Sequence, residues 1–457
     1  MLPSRAFVRR WPVAQKNVHF VSLGCPKNRI DTETMLAGLP GESFRITGDV
    51  DEAHVVVVNT CAFVESAKKE SIDAILEAAE LRDSGRIEKL LVTGCLAQRY
   101  PEELAKELPE VDHFVGTNDL NLVTEILDGR TGSRVLVGNP DRRDFDWEAP
   151  RFNSMGGFQA YLKVAEGCSN QCAFCIIPTL RGPQRSRAIE SVVREAEMLV
   201  AQGAVELTLV AQDLTAYGYD LTPRSNLTAL LEALAAVDGV RWIRLLYAYP
   251  RSFPKGLVDL MAREPKIVPY LDMPLQHISD DVLKAMKRGT NGDTIRRRVA
   301  ELRERLPNLA LRTTFLVGYP GETEADFEAL LDFAREAKFE RMGAFAYSRE
   351  EGTPSHDLPN QVPEAVKARR LDALMYQQRD ISRAHNEAMI GRTVEVLVEK
   401  RSEESELVWI GRTAQQAPEI DGITWLGSAD HVRPGAVVPA VVTQVTDYDL
   451  VAEPLTD

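Results

Sequence analysis

The chain is short of basic residues. It carries 54 Lys and Arg against 68 Asp and Glu, a formal net charge of −14 over 457 residues. A protein that grips nucleic acid over its whole surface wants the opposite balance. Nucleic acid is therefore not expected as the direct substrate, and a basic protein partner suits the charge better. Long apolar runs are missing too. None approaches the ~18 residues of a membrane-spanning helix, so no membrane role is expected. No secretory signal is evident, which points to a reducing, cytoplasmic setting without disulfides. There is no internal repeat and no low-complexity tract. No Ser–His–Asp or paired-carboxylate arrangement asks for acid–base hydrolysis. Cysteine is scarce, at six residues, and where those six fall becomes the main question.

At roughly 150 residues per domain the length suggests two to four domains. Residues 1–16 hold Arg5, Arg9, Arg10 and Lys16 and no acid. Without an apolar core they read as a disordered arm rather than a transit peptide. Residues 17–128 alternate strand signals (18–23, 55–58, 89–92, 113–115) with helical patterns such as 65–81 and 101–108. Alternation of this kind predicts a parallel α/β domain. Residues 129–153, with Gly132, Gly138, Pro140 and Pro150 among charges, read as a linker.

From 154 to 390 the alternation resumes on a longer scale. Strands are expected at 159–165, 206–211, 242–247, 270–273, 312–317 and 341–345. Helices are expected at 189–201, 226–237, 254–263, 279–286, 293–305, 323–337 and 363–390. Six such units suit a full or partial β/α barrel. Residues 391–457 are β-rich at 393–399, 407–410 and 437–445, with turns at Pro418, Asp421–Gly422 and Pro434–Gly435. They predict a small antiparallel barrel.

The cysteines form two sets. Cys168, Cys172 and Cys175 follow Glu166-Gly167 in a CxxxCxxC loop just past the first expected barrel strand. Thiolates this close can converge on one soft metal centre. Three ligands cannot close a tetrahedral structural zinc site, and no fourth Cys or His is nearby. A 4Fe–4S cluster on three thiolates leaves one iron open, able to chelate the amino and carboxylate groups of S-adenosylmethionine (SAM). Cys25, Cys61 and Cys95 lie 36 and 34 residues apart. Each sits just past the carboxyl end of an expected parallel strand, on the edge where open α/β sheets bind ligands. The alternative for this set is three separately buried cysteines.

Four long motifs carry a resemblance. They are Ser22-Leu23-Gly24-Cys25-Pro26-Lys27-Asn28, Asn59-Thr60-Cys61-Ala62-Phe63, Gly94-Cys95-Leu96-Ala97-Gln98-Arg99-Tyr100, and the cysteine loop continuing to Ile176-Ile177-Pro178. From about Val18 to Glu453 the chain resembles the methylthiotransferase family of radical SAM enzymes. The resemblance implies an auxiliary-cluster domain, a radical SAM partial barrel and a C-terminal TRAM barrel. It implies two 4Fe–4S clusters. One, on Cys168, Cys172 and Cys175, would cleave SAM reductively to a 5′-deoxyadenosyl radical. The other, on Cys25, Cys61 and Cys95, would carry the sulfur to be delivered. A second SAM would supply the methyl group. A reductant such as flavodoxin or ferredoxin is implied as a partner.

Two substrate classes divide that family. One subgroup modifies adenosine in tRNA. The RimO-like subgroup modifies an aspartate β-carbon of ribosomal protein S-twelve, free or on the small subunit. Several stretches look RimO-like, among them Glu65-Ser66-Ala67-Lys68, 211–218, 245–250, 347–353 and 417–422. Residues 391–457 hold five Lys or Arg and twelve Asp or Glu, a formal −7. A TRAM barrel that grips tRNA should be basic, whereas an acidic one suits a basic ribosomal protein. The protein substrate is therefore expected, with tRNA adenosine as the alternative. A non-enzymatic iron–sulfur carrier would explain two clusters but not the barrel.

Other residues carry weaker signals. By the resemblance, Phe174 lies against adenine, and Gln212 and Asp213 contact the SAM amino group. The plainer readings are a packing residue and a strand-end cap. Arg181, Arg185 and Arg187 either meet a carboxylate of SAM or substrate or form a basic turn. Gly318–Thr323 either approaches a ligand or opens the next helix. His277 reads as a hydrogen-bonded structural residue.

Overall fold

A computed structural model describes residues 15–141, 147–251, 253–429 and 431–455. Most of the basic arm, Arg5, Arg9 and Arg10 included, lies outside them. The chain forms two compact units, residues 1–152 and 153–457.

The first unit is one parallel sheet of six strands: β1 (Lys16–Ser22), β2 (Phe44–Ile46), β3 (Val55–Thr60), β4 (Lys89–Gly94), β5 (His113–Val115) and β6 (Val135–Leu136). Their order is β2-β1-β3-β4-β5-β6, and every neighbouring pair is parallel. The four-valine run of β3 is fully buried, as expected for a central strand covered on both faces. The chain passes from β1 to β2 on one side and then to β3 on the other. That reversal is a topological switch point, which opens a crevice at the carboxyl ends of β1 and β3. The stretch expected as a linker contributes β6, and its Arg151 makes a buried ion pair with Glu33 at 2.6 Å. This edge strand is only Val135–Leu136 long and pairs parallel with β5, too short to show a strand period in the sequence.

The second unit begins with β7 (Gln159–Lys163) and a small antiparallel pair, β8 (Ala165–Glu166) and β9 (Arg185–Ser186). It continues through β10 (Glu206–Val210), β11 (Trp242–Leu245), β12 (Ile267–Asp272), β13 (Ala310–Val317) and β14 (Arg341–Ala346). Strands β7 and β10 to β14 form one parallel sheet in simple sequential order, with β7 and β14 as open edges. It is a partial barrel. Helices connect the strands and bury Leu, Val and Ile against it, as with Leu230, Leu231 and Leu234 from the helix Leu227–Ala235.

The chain then closes a five-stranded barrel from β15 (Thr393–Arg401), β16 (Val408–Thr413), β17 (Thr424–Gly427), β18 (Val437–Val445) and β19 (Leu450–Pro454). Its core holds Val396, Val398, Trp409 and Leu426. All its pairs are antiparallel except β17 with β19. Among the described residues, no helix is long and apolar enough to cross a membrane.

Candidate metal centres

In the first unit, Ser22, Asn59 and Thr93 stand side by side in register on β1, β3 and β4. Cys25 lies three residues past this row, and Cys61 and Cys95 two residues past it. Three residues distant in sequence are thereby brought to one edge of the sheet, at the switch point. Cys25 caps helix α1 (Pro26–Ala37), whose first position is proline, a residue suited to that place. Asn28, fully buried, ties the three loops together. Its Nδ2 donates to the carbonyls of Leu23 (3.1 Å) and Thr60 (2.8 Å), and Cys95 Sγ lies 3.8 Å from its Oδ1. Asn59 Nδ2 answers by donating to the Asn28 carbonyl at 2.8 Å. Ser71, on the helix α2 (Glu65–Asp83), accepts from the Cys61 N–H and donates to its carbonyl, both at 2.9 Å. Gly24 has φ +89°, and a Cβ there would stand 2.8 Å from Cys61 Cβ. Only glycine lets the first loop come this close to the second.

In the second unit, the CxxxCxxC loop leaves β8 through Gly167, at φ +79°, where a Cβ would run into the carbonyls of Gly182 and Pro183. The loop is fixed from below by Glu166. This fully buried carboxylate accepts from Lys163 (2.9 Å), Arg181 (3.3 Å) and Gln212 Nε2 (2.7 Å). Burial by itself would raise its pKa, but Lys163 and Arg181 outweigh that and hold it far below the usual carboxylate range. Asn170, between the first two cysteines, donates to Asp213 at 2.7 Å. The far side of the loop is bonded through Ala173, whose N–H reaches the Met286 carbonyl and whose carbonyl accepts from Ser355.

Around Cys172 lie Arg288, with Nη1 3.4 Å from Sγ, and Tyr249, with its hydroxyl 3.6 Å away. Burial pushes the Cys168 thiol up to about 11 and Cys175 up to about 12. Such thiols ionise when a metal displaces their protons. Among the described residues, no three His, Cys, Asp or Glu side chains are gathered tightly enough to share one metal ion. In an iron–sulfur cluster each thiolate binds its own iron, so its cysteines stand further apart than the ligands of a single zinc. The donor set, together with a buried cation aimed at one sulfur, fits such a negatively charged cluster.

The weaker expectations divide. Asp213 Oδ1 accepts from the Thr215 and Ala216 N–H groups, so it is a strand-end cap that also holds the cysteine loop through Asn170. Gln212 turns its Nε2 to Glu166, which leaves Oε1 buried and without a hydrogen-bond partner among the described residues. Phe174 is partly buried and packs on a cluster that contains Val282, Met286 and Tyr319. Arg181, Arg185 and Arg187 are buried. Arg181 and Arg187 meet Glu166 and Glu195, carboxylates of this chain, and Arg185 donates to the Arg181 carbonyl.

Thr323 and Asp326 form a capping box that opens the helix Glu324–Ala337. His277 Nδ1 accepts from the Ser279 N–H at 3.0 Å, a structural role. Sequence reasoning did not find Arg288, Tyr249 or Glu166. Glu166 had a signal in hindsight: an acid directly before Gly-Cys on a buried strand needs a cation.

Three family models match the chain: "Uncharacterized protein family UPF0004" over residues 17–116, the "Radical SAM superfamily" over 162–334 and the "TRAM domain" over 390–455. A protein named ribosomal protein uS12 methylthiotransferase RimO, from Anaeromyxobacter sp. (strain K), is 56% identical over 95% of this chain and 92% of its own length. Proteins of the same name from Myxococcus xanthus and Geobacter sulfurreducens are 51% and 50% identical, each over 96% of this chain and 91% and 99% of their own. Among solved structures, the radical SAM methyltransferase TsrM from Kitasatospora setae superposes with a TM-score of 0.57 at 17% identity. That match covers 75% of this chain and 77% of TsrM, and it speaks to the fold.

Proposed function

Because the chain belongs to the RimO family of ribosomal protein uS12 methylthiotransferases, within the radical SAM superfamily, we propose that it inserts a methylthio group at the β-carbon of an aspartate of uS12. The observation that carries the reading is the division of the six cysteines into two trios, each at the carboxyl end of its own parallel sheet. Cys168, Cys172 and Cys175 would hold one 4Fe–4S cluster, and Cys25, Cys61 and Cys95 a second. When bound, these groups supply the reductive cleavage of SAM and the sulfur that is transferred.

The chain's own residues bind and orient. Gln212 Oε1, buried and without a partner among the described residues, is suited to accept from the amino group of SAM. Asp213 supports that position through Asn170. Phe174, partly exposed, would carry the adenine. Three regions would share the work: 17–128 for the auxiliary cluster, 154–390 for SAM chemistry and 391–457 for the substrate. The net −7 of the last region suits a basic ribosomal protein and repels phosphate. A cytoplasmic setting with a flavodoxin or ferredoxin as reductant completes the reading.

The test is mass spectrometry. Reduced, cluster-loaded protein is incubated with SAM and a uS12 peptide that carries the target aspartate. A methylthio group on that aspartate is expected. An unmodified peptide in a reaction that still produces 5′-deoxyadenosine would overturn the substrate assignment.

A further inference from the structure

Arg288 is 4% exposed, yet among the described residues no carboxylate pairs with it. Other buried arginines of the same unit do find acids: Arg181 with Glu166, Arg244 with Glu206 and Arg370 with Glu322. Arg288 instead spends its donors on a carbonyl and a sulfur. Nη2 donates to the Pro274 carbonyl at 2.6 Å, Nη1 stands 3.4 Å from Cys172 Sγ, and Nε has no hydrogen-bond partner among the described residues.

The guanidinium lies over the ring of Tyr249, 4.1 Å from its centroid. The Tyr249 hydroxyl donates to the Arg288 carbonyl at 2.8 Å and stands 3.6 Å from the same sulfur. Two residues earlier, the Met286 carbonyl accepts from the Ala173 N–H at 2.9 Å, which fixes this segment to the cysteine loop. A guanidinium taken out of water without an anion is costly. An occupant with net negative charge at Cys172 removes that cost, and a cluster held by three thiolates has such a charge, which grows when an electron is added.

We propose that Arg288, positioned by Tyr249, tunes the cluster at Cys172 by donating to its ligand sulfur and raising its reduction potential. The inference rests on the cluster assignment made above. Hydrogen bonds to ligand sulfurs and nearby positive charge both favour the reduced state. The step served is the entry of one electron from a flavodoxin-type donor, which becomes oxidised by one electron. That electron later goes to the sulfonium of SAM, whose S–C5′ bond breaks to give methionine and the 5′-deoxyadenosyl radical.

The experiment is a redox titration of the reconstituted full chain followed by EPR, reading the signal that changes when SAM is added. In Arg288→Gln we expect the same iron content but about tenfold less reduced cluster at a fixed donor potential, a shift of about 59 mV to more negative values for one electron. Tyr249→Phe keeps the ring under the guanidinium and is expected to shift the signal less. An assembled cluster with unchanged potential in Arg288→Gln overturns the inference. If the unsubstituted protein shows no SAM-responsive signal, the cluster assignment itself fails. If Arg288→Gln does not hold a cluster, pulsed EPR of unsubstituted protein carrying 15N-guanidino arginine decides. Coupling of the reduced cluster to an arginine nitrogen is expected, and its absence overturns the inference.

Discussion

Arg412, on β16 of the small closed barrel, donates through Nη2 to Glu206 Oε2 at the start of β10, across 2.6 Å. Both side chains are fully buried or nearly so. Glu206 also accepts from Arg244 at 2.7 Å, and Arg412 also reaches Glu399 and the Gln416 carbonyl. Burial would raise the Glu206 carboxyl, but the two guanidinium groups outweigh it and hold it down at about 2. Around this pair, Tyr161 donates to Glu419 and Tyr270 to Asp421. The loop 414–421 of the closed barrel is thus held by side chains of the parallel sheet.

Removing one member of a buried ion network leaves an uncompensated charge, at a cost of about 3–5 kcal/mol. Arg412→Ala is therefore expected to lower stability by about that much. Arg241→Ala, which breaks an exposed pair with Glu395 linking the same two sheets, should cost under about 1 kcal/mol. Urea denaturation of the two variants checks the contrast.

His277 should make the second unit lose stability as pH falls. Burial drives its pKa from 6.5 down to about 4, against the pull of Asp326 and with help from Arg370. The folded state resists a proton that the unfolded chain accepts. The penalty is absent above the unfolded value of 6.5 and grows as pH drops toward 4, reaching about 3 kcal/mol. Protonation would also break the bond in which Nδ1 accepts from Ser279. Denaturation midpoints between pH 7 and pH 4.5 should fall more steeply in the parent protein than in His277→Gln.

The two cysteine trios should separate by assay. Cys172→Ala is expected to abolish formation of 5′-deoxyadenosine from SAM under reduction. Cys61→Ala should spare that product and stop methylthio insertion. SAM cleavage that persists in Cys172→Ala would contradict the assignment of the second trio.

Asn28 predicts a selective loss. Its side chain bonds the loops before Cys25 and Cys61 and lies against Cys95. Asn28→Ala should lower the iron bound by the first trio several-fold and leave SAM cleavage near the parent rate. Iron analysis with a parallel cleavage assay reads both.

Much of this was legible because it obeys period and placement. The valine run of β3 and the amphipathic helices between barrel strands declare themselves through apolar spacing. The cysteines were found because each follows such a strand. Helix α1 was not legible, since the face it buries carries Lys27, Asn28, Asp31, Thr32 and Glu33 beside Ile30 and Met35. A polar buried face has no hydrophobic period, and its reason becomes visible only when the cysteine loops it braces are in place. Arg181, Arg185 and Arg187 read either as partners of an external carboxylate or as a solvated basic turn, because a sequence does not show which groups of the chain lie beside them in space. Arg181 and Arg187 find their acids, Glu166 and Glu195, in buried pairs within the chain. Likewise nothing in the local pattern of 411–413 marks Arg412 as the partner of a residue 206 positions earlier.

A single competition experiment decides between ribosomal protein and tRNA as the substrate. Reduced, reconstituted protein is given SAM labelled with a trideuterated methyl group, together with uS12 and unmodified tRNA in the same vessel. Mass spectrometry of both products should find the deuterated methylthio group on an aspartate of uS12 and none on adenosine. Label on tRNA adenosine with uS12 unmodified would make this chain a tRNA-modifying enzyme instead.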